Sequence, residues 1–338
     1  MDKNEVGFFK EAVNIAKEFD EKGDSELAQY VMSIISKAST FSPQAIDEEV
    51  SMPDYLKKIT TPATSLPLPE PISQDIIGIV NAIQKNIGVH KFLFKGAPGT
   101  GKTESVKHIA RFLNRELYGV DFTFLIDSKL GQTAKNIISL FNDINRFQHP
   151  DRLVILFDEI DALALDRTNK QDLREMGRVT STVLKCLDEL NPSVVLIATT
   201  NLFEHLDRAL IRRFDSVIDF NRYTDEDLVE IAESILSFYL IQFKELSKDN
   251  RLFRKIIQSA QPIPYPGELK NIIKSSIAFS EPRDPKNYLK RIYSSLHPEN
   301  KKSKDLSVFQ SQGFTLRETE ILTGISKSQI ARNLKSKL

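Results

Sequence analysis

An α/β fold is predicted for this chain: a parallel sheet flanked by helices, an all-helical continuation, and a small helical module at each end. Three observations carry that expectation. Between residues 73 and 221, short apolar runs alternate with stretches of helical periodicity, as in buried parallel strands joined by helical crossovers. One run, Phe92-Leu93-Phe94, leads directly into Gly96-Ala97-Pro98-Gly99-Thr100-Gly101-Lys102-Thr103, a complete G-x-x-x-x-G-K-[ST] string, and a helix-like segment (Glu104 to Leu113) follows it. From residue 222 to 297 the periodicity is helical throughout.

Taken in order, residues 1–40 place Phe9, Ala12, Val13, Ala16 and Phe19, then Leu27, Val31, Ile34 and Ile35, on helical faces broken by Gly23-Asp24. They read as a helical hairpin, either a docking module for a partner or a self-packing cap. Residues 41–72 are rich in Pro, Ser, Thr and Glu and read as a linker. The expected strands are Lys91–Phe94, Phe122–Ile126, Leu153–Phe157, Val194–Ala198 and Val217–Phe220. After the helical stretch 222–297, residues 298–338 form a Lys/Ser-rich connector and a short helical unit.

Bulk composition narrows the function classes. The 338 residues are 41% hydrophobic and carry 46 basic and 46 acidic side chains, so there is no uniformly basic coat for nucleic acid. The balance is uneven: residues 1–40 hold eight acids against five bases, and residues 301–338 eight bases against three acids. The asymmetry suggests different partners for the two ends, although solvated surface is the more common reason for such bias. The single cysteine, Cys186, excludes an intrachain disulfide and sits in an apolar helical pattern, as a core residue would. The five histidines show no metal-ligand spacing. No run reaches the ~18 apolar residues of a membrane span, and the N-terminus is charged. The expected compartment is the cytosol, with no membrane partner.

The chemistry centres on the glycine-rich string. Gly96, Gly99 and Gly101 permit a turn tight enough to aim backbone N–H groups at phosphate oxygens, with Ala97, Pro98 and Thr100 completing the loop and the next helix N-terminus adding positive potential. Lys102 suits the β- and γ-phosphates of a nucleoside triphosphate, and the Thr103 hydroxyl suits Mg²⁺. The strand Leu153–Phe157 ends in Asp158-Glu159, at the sheet edge where metal coordination is needed. Asp158 is the candidate metal residue and Glu159 the candidate general base; a helix-capping acidic pair is the plainer alternative. Asn201, ending the run Val194–Ala198 after Thr199-Thr200, can orient water at the γ-phosphate or merely end a strand. Arg212 and Arg213, in Leu206-Asp207-Arg208-Ala209-Leu210-Ile211-Arg212-Arg213-Phe214-Asp215, suit charge on a transferring phosphoryl group, or a surface ion-pair cluster with Asp207 and Asp215.

These motifs, in this order, resemble the AAA+ ATPases, specifically the AAA subgroup that includes FtsH, katanin and spastin. GAPGTGKT is similar to the family's Walker A, LVILFDEIDAL to its Walker B, IATTN to its sensor 1 and LDRALIRRFD to its arginine-finger segment. Pro264-Tyr265-Pro266-Gly267-Glu268-Leu269 resembles the start of the sensor-2 helix, over a likeness covering roughly residues 73–280. The resemblance implies a five-stranded nucleotide-binding domain, a helical lid, and a ring of copies, usually a hexamer, with ATP at subunit boundaries. The chain departs from the pattern in three places. Its finger segment is short, so Arg212 and Arg213 compete for the trans role, with Arg212 slightly favoured. Gly267 stands where many relatives carry an arginine. In Ser128-Lys129-Leu130-Gly131-Gln132-Thr133, which resembles the pore loop, Lys129 stands at the aromatic position, and an ammonium cannot replace an aromatic grip on polypeptide.

In the tail, Thr315–Glu318 and Ser326–Gln329 are capping-box patterns around the turn Thr323-Gly324-Ile325. Gly324 to Leu334 resembles the turn and recognition helix of bacterial helix-turn-helix domains, with Lys327, Ser328, Gln329 and Arg332 toward DNA. Glu320 departs from that pattern, and a protein-packing unit is the alternative. The reading is an ATP-hydrolysing ring that remodels or regulates a protein partner. Its rivals are a DNA-associated ATPase using the tail, and an ATP-dependent switch for a partner protease or nuclease in a defence-type two-gene system.

Overall fold

Phe92, Leu93 and Phe94 are all fully buried, which alternating side chains can achieve only in a strand covered on both faces. The same holds along Leu153–Phe157 and Val195–Thr200, and these three strands form the middle of one sheet. The structure, a computed structural model, describes residues 55–61, 68–126, 131–163, 170–243, 245–281, 284–302 and 305–335. The expected N-terminal hairpin (1–40), the start of the linker, and Ser128, Lys129 and Leu130 lie outside them.

Six strands are present among the described residues: β1 (Leu56–Ile59), β2 (Lys91–Lys95), β3 (Glu116–Val120), β4 (Leu153–Phe157), β5 (Val195–Thr200) and β6 (Ser216–Asp219), in the order β1-β3-β4-β5-β2-β6. All neighbours are parallel except β1, which pairs antiparallel with β3 from Leu56↔Val120 to Ile59↔Leu117. The sheet is therefore mixed and six-stranded, where five parallel strands were expected, and its extra strand comes from the presumed linker. β1 escaped notice because its sequence, Leu-Lys-Lys-Ile, lacks an apolar run. Its lysines pair with Asp121 and Glu116, and a short charged strand is a common way to close a sheet edge.

The second correction concerns β3. It was expected at Phe122–Ile126, but that stretch begins with a single 3₁₀ turn, Phe122–Phe124. The apolar residues there serve the core from a turn: Leu125 is fully buried and the Phe122 ring meets Phe157 edge-on at 5.6 Å. Glu116, at the start of the true strand, stays exposed beside Lys58 and masked the pattern.

Helices α1 (Glu70–Gln84), α2 (Lys102–Phe112), α3 (Gln132–Asn145), α4 (Lys170–Asp188) and the single turn α5 (Arg208–Ile211) accompany the sheet. Cys186 on α4 is a core residue, and burial pushes its thiol pKa up. Past β6 the chain is helical: α6 (Asp225–Leu240), α7 (Asn250–Gln258), α8 (Pro266–Ala278), α9 (Asn287–Leu296), α10 (Ser307–Ser311), α11 (Leu316–Thr323) and α12 (Lys327–Lys335). The boundary expected at residue 297 does not divide this region. Leu306, Phe309, Phe314, Leu322 and Ile330 share one core with Phe253, Tyr288 and Ile292. Tyr293 of α9 stacks on Phe309 at 5.0 Å and meets Phe314 edge-on at 5.7 Å. The Thr315/Glu318 capping box is formed. Glu320, anomalous in sequence, has a local role: its carboxylate accepts the Lys327 N–H at the start of α12, 3.1 Å away.

Candidate nucleotide site

β2 delivers the chain to the carboxyl edge of the sheet, and the phosphate loop turns there into α2. Gly96 holds φ +151°, and a β-carbon on it would lie 3.0 Å from Phe220 Cβ, so the first loop position admits only glycine. Thr100 Oγ1 donates to the Ala97 carbonyl at 2.8 Å and closes the turn from inside. Gly101 caps α2 in the left-handed region, leaving Lys102 as the first helical residue.

Lys102 is buried, and its ammonium donates to the carbonyls of Gly96 (2.6 Å) and Ala97 (2.9 Å) and to Asn201 Oδ1 (2.8 Å). Burial lowers its pKa, while Asp158, Asp161 and Glu159 nearby act to raise it. Its three hydrogen-bond acceptors are all neutral oxygens, so an anionic phosphate would be a stronger partner for the ammonium than any it now has.

β4 and β5 end beside the loop and supply the acidic half. Thr103 Oγ1 donates to the Asp158 carboxylate at 3.0 and 3.2 Å. Thr199 Oγ1 donates to Asp158 Oδ1 at 2.6 Å and accepts the Glu159 N–H at 2.9 Å. Glu159 itself adopts φ +55°, an uncommon value for a residue with a side chain, and the Thr199 contact holds it there. Asn201 Nδ2 donates to Glu159 Oε1 at 3.2 Å. Asn201 therefore bridges the phosphate-seeking lysine and the candidate base. As a donor set, the Thr103 hydroxyl in contact with the Asp158 carboxylate fits Mg²⁺, which prefers hard oxygens and few protein ligands.

The arginines lie elsewhere. Asp215, two residues after Arg213, accepts the N–H groups of His90 and Lys91 at 2.9 and 2.8 Å, and its own N–H donates to the Lys91 carbonyl. That fixes the segment at the amino end of β2, a strand of five residues, and so about 13 Å along the sheet from where the loop begins. Arg213 is held by Asp188 through Nε at 3.0 Å and Nη2 at 3.2 Å. Arg212 is exposed, and among the described residues its guanidinium has no hydrogen-bond or ion-pair partner. Neither arginine reaches the loop of its own chain.

Four residues of the site were not anticipated in their present roles. Thr199 couples Asp158 to Glu159. Asn221 Oδ1 accepts the Ala97 N–H at 2.8 Å, the Tyr223 hydroxyl donates to the Thr100 carbonyl at 2.7 Å, and the Gly267 N–H donates to the Gly99 carbonyl at 2.8 Å. Asn221 and Tyr223 directly follow β6, at the strand ends where α/β sheets bind ligands; that position was the only signal available.

Residues 92–222 match the family described as ATPase family associated with various cellular activities (AAA). Over 132 residues the chain is 42% identical to the uncharacterized AAA family ATPase y4kL of Sinorhizobium fredii, covering 39% of each protein. It is 36% identical over 137 residues to a putative 26S proteasome regulatory subunit homolog of Methanothermobacter thermautotrophicus, covering 40% of this chain and 36% of that one. The chain thus spans less than half the length of these relatives. A chain of the E. coli MS115-1 HORMA:CdnC:Trip13 complex shares the fold, with a TM-score of 0.56 at 16% identity over 75% of this chain and 96% of its own length.

Proposed function

We propose that the chain, whose residues 92–222 match the AAA ATPase family model, hydrolyses ATP within a ring of its own copies, a hexamer by resemblance, and uses the cycle to remodel or regulate a protein partner. The observation that carries the reading is the pairing of an assembled phosphate-loop network with an exposed Arg212 that has no partner among the described residues, at the opposite sheet edge. Lys102 exchanges the Gly96 and Ala97 carbonyls for the β- and γ-phosphates. Thr103 and Asp158 would hold Mg²⁺, which would offset negative charge on the phosphates. Glu159 takes the proton of the attacking water, and Asn201 orients that water against the γ-phosphate. Arg212 completes the site of a neighbouring copy, and Arg213 remains with Asp188.

A partner of protein nature draws support from two relatives: one is named for a proteasome regulatory subunit, and one belongs to a complex with other proteins. The tail favours the packing reading over DNA. Its apolar residues are committed to the lid core, and Glu320 puts a carboxylate at the N-terminus of α12, where a recognition helix would receive a phosphate. Lys327, Ser328, Gln329 and Arg332 remain exposed.

The test is steady-state ATP hydrolysis by the wild type and by Glu159→Gln, alone and with unfolded polypeptide or duplex DNA. Glu159→Gln is expected to retain ATP while turnover falls by ~10²–10⁴-fold. A variant turning over at the wild-type rate would remove Glu159 from the chemistry. Stimulation by polypeptide supports remodelling and stimulation by DNA restores the DNA reading, whereas a rate indifferent to both directs the search to a dedicated partner enzyme.

A further inference from the structure

The lid helix α8 starts on the phosphate loop. Its second residue, Gly267, donates its backbone N–H to the Gly99 carbonyl at 2.8 Å. A β-carbon at position 267 would lie 2.8 Å from Gly99 Cα, 3.2 Å from its oxygen and 3.4 Å from its carbonyl carbon. All three are backbone atoms of a glycine at φ +78°, so they cannot swing aside as a side-chain tip would. Proximity, not an unusual dihedral of its own, is what demands glycine at 267. Two further bonds tie the loop to the chain entering the lid: Ala97 N–H to Asn221, and the Tyr223 hydroxyl to the Thr100 carbonyl. The Tyr223 ring in turn meets Tyr265, the residue capping α8, edge-on at 5.9 Å.

We propose that Gly267 is a positioning residue: having no side chain, it lets the lid bond the phosphate loop backbone to backbone, so that loop shape and lid angle change together. This rests on the reading that the loop binds ATP. A side chain at 267 would push α8 off Gly99 and uncouple the two, and even an arginine long enough to reach a phosphate would have to displace the loop first.

The experiment compares the full-length wild type with Gly267→Ala, Gly267→Arg and Tyr223→Phe. Binding of a fluorescent ADP analogue is titrated, and hydrogen exchange is followed in α2 and α8 with and without ADP. In the wild type, ADP is expected to protect both helices. Gly267→Ala and Gly267→Arg should each bind ADP about tenfold more weakly, the equivalent of one backbone bond lost and a contact forced apart. Protection should persist in α2 and disappear from α8. Wild-type affinity with α8 still protected, in either variant, would overturn the proposal, as would a fall in thermal stability alone. If Gly267 variants fail to fold, Tyr223→Phe removes a second lid-to-loop bond without adding bulk, and an α8 response identical to wild type would count against the coupling. Lys102→Ala separates the premise from the proposal: ADP bound as tightly by that variant would show that the loop is not the nucleotide site.

Discussion

The two edges of the central sheet carry the two halves of the candidate site, and they are built on opposite plans. At the carboxyl edge Lys102, Thr103, Asp158, Glu159, Thr199 and Asn201 are linked by an unbroken set of hydrogen bonds, partly buried except at the exposed Glu159. At the amino edge Arg213 is spent on an exposed ion pair and Arg212 faces solvent with no partner among the described residues. A network that satisfies itself can be assembled by one chain. A guanidinium in a segment anchored at the amino edge of the sheet, about 13 Å along it from where its own loop begins, has a use in phosphoryl transfer only if another copy brings a loop to it.

The sharpest way to break that contrast is Arg212→Ala. Turnover should fall by ~10³-fold or more with nucleotide affinity little changed, as for an arginine supplied in trans. Mixing this variant with Glu159→Gln should recover part of the activity, because some boundaries then combine an intact Glu159 with an intact Arg212. Steady-state rates of the mixture check this, and no recovery would argue that both residues act within one chain. Should Arg213→Ala prove the more damaging of the two, the assignment is reversed.

On the assembled edge, Thr199→Val keeps the shape of the side chain and deletes the hydroxyl that serves Asp158 and Glu159. Losing two hydrogen bonds at these partly buried groups costs about 0.5–1.5 kcal/mol each, so turnover should drop by roughly 10–100-fold. ATP affinity, set mainly by Lys102 and the loop, should move far less; equal losses in both would mean that Thr199 supports the fold and not the chemistry.

The smallest effect is expected from Asp188→Ala. Exposed ion pairs contribute about 0.2–1 kcal/mol, so turnover and thermal stability should change by no more than a few-fold and a few degrees respectively. A loss approaching that of Arg212→Ala would make Asp188 a support for the trans arginine.

Legibility in the sequence followed locality. The phosphate loop, the strand ending in Asp158-Glu159 and the strand ending near Asn201 are contiguous strings whose chemistry and backbone needs coincide, and each lies where its pattern predicts. β1 and β3 were missed or misplaced because edge strands tolerate charge and because Phe122 and Leu125 satisfy the core from a turn. Thr199 was visible only as one of two threonines before Asn201. Asn221 and Tyr223 were marked only by their place after β6 and Gly267 only by its place at the start of a sensor-2-like helix; which loop atoms they bond was not legible, since each bond spans a long sequence separation.

By itself, then, the sequence determined the strand–loop–helix unit, the acidic strand end and the switch to an all-helical continuation. These follow from side-chain periodicity and from backbone freedoms that only particular residues possess. Tertiary structure alone decided that Arg213 pairs with Asp188 while Arg212 has no partner among the described residues, that the tail shares the core of the helical region after β6, and that α8 meets the loop too closely for any side chain. Those outcomes depend on distances between segments far apart in the chain, and such distances exist only once the sheet and the lid have packed.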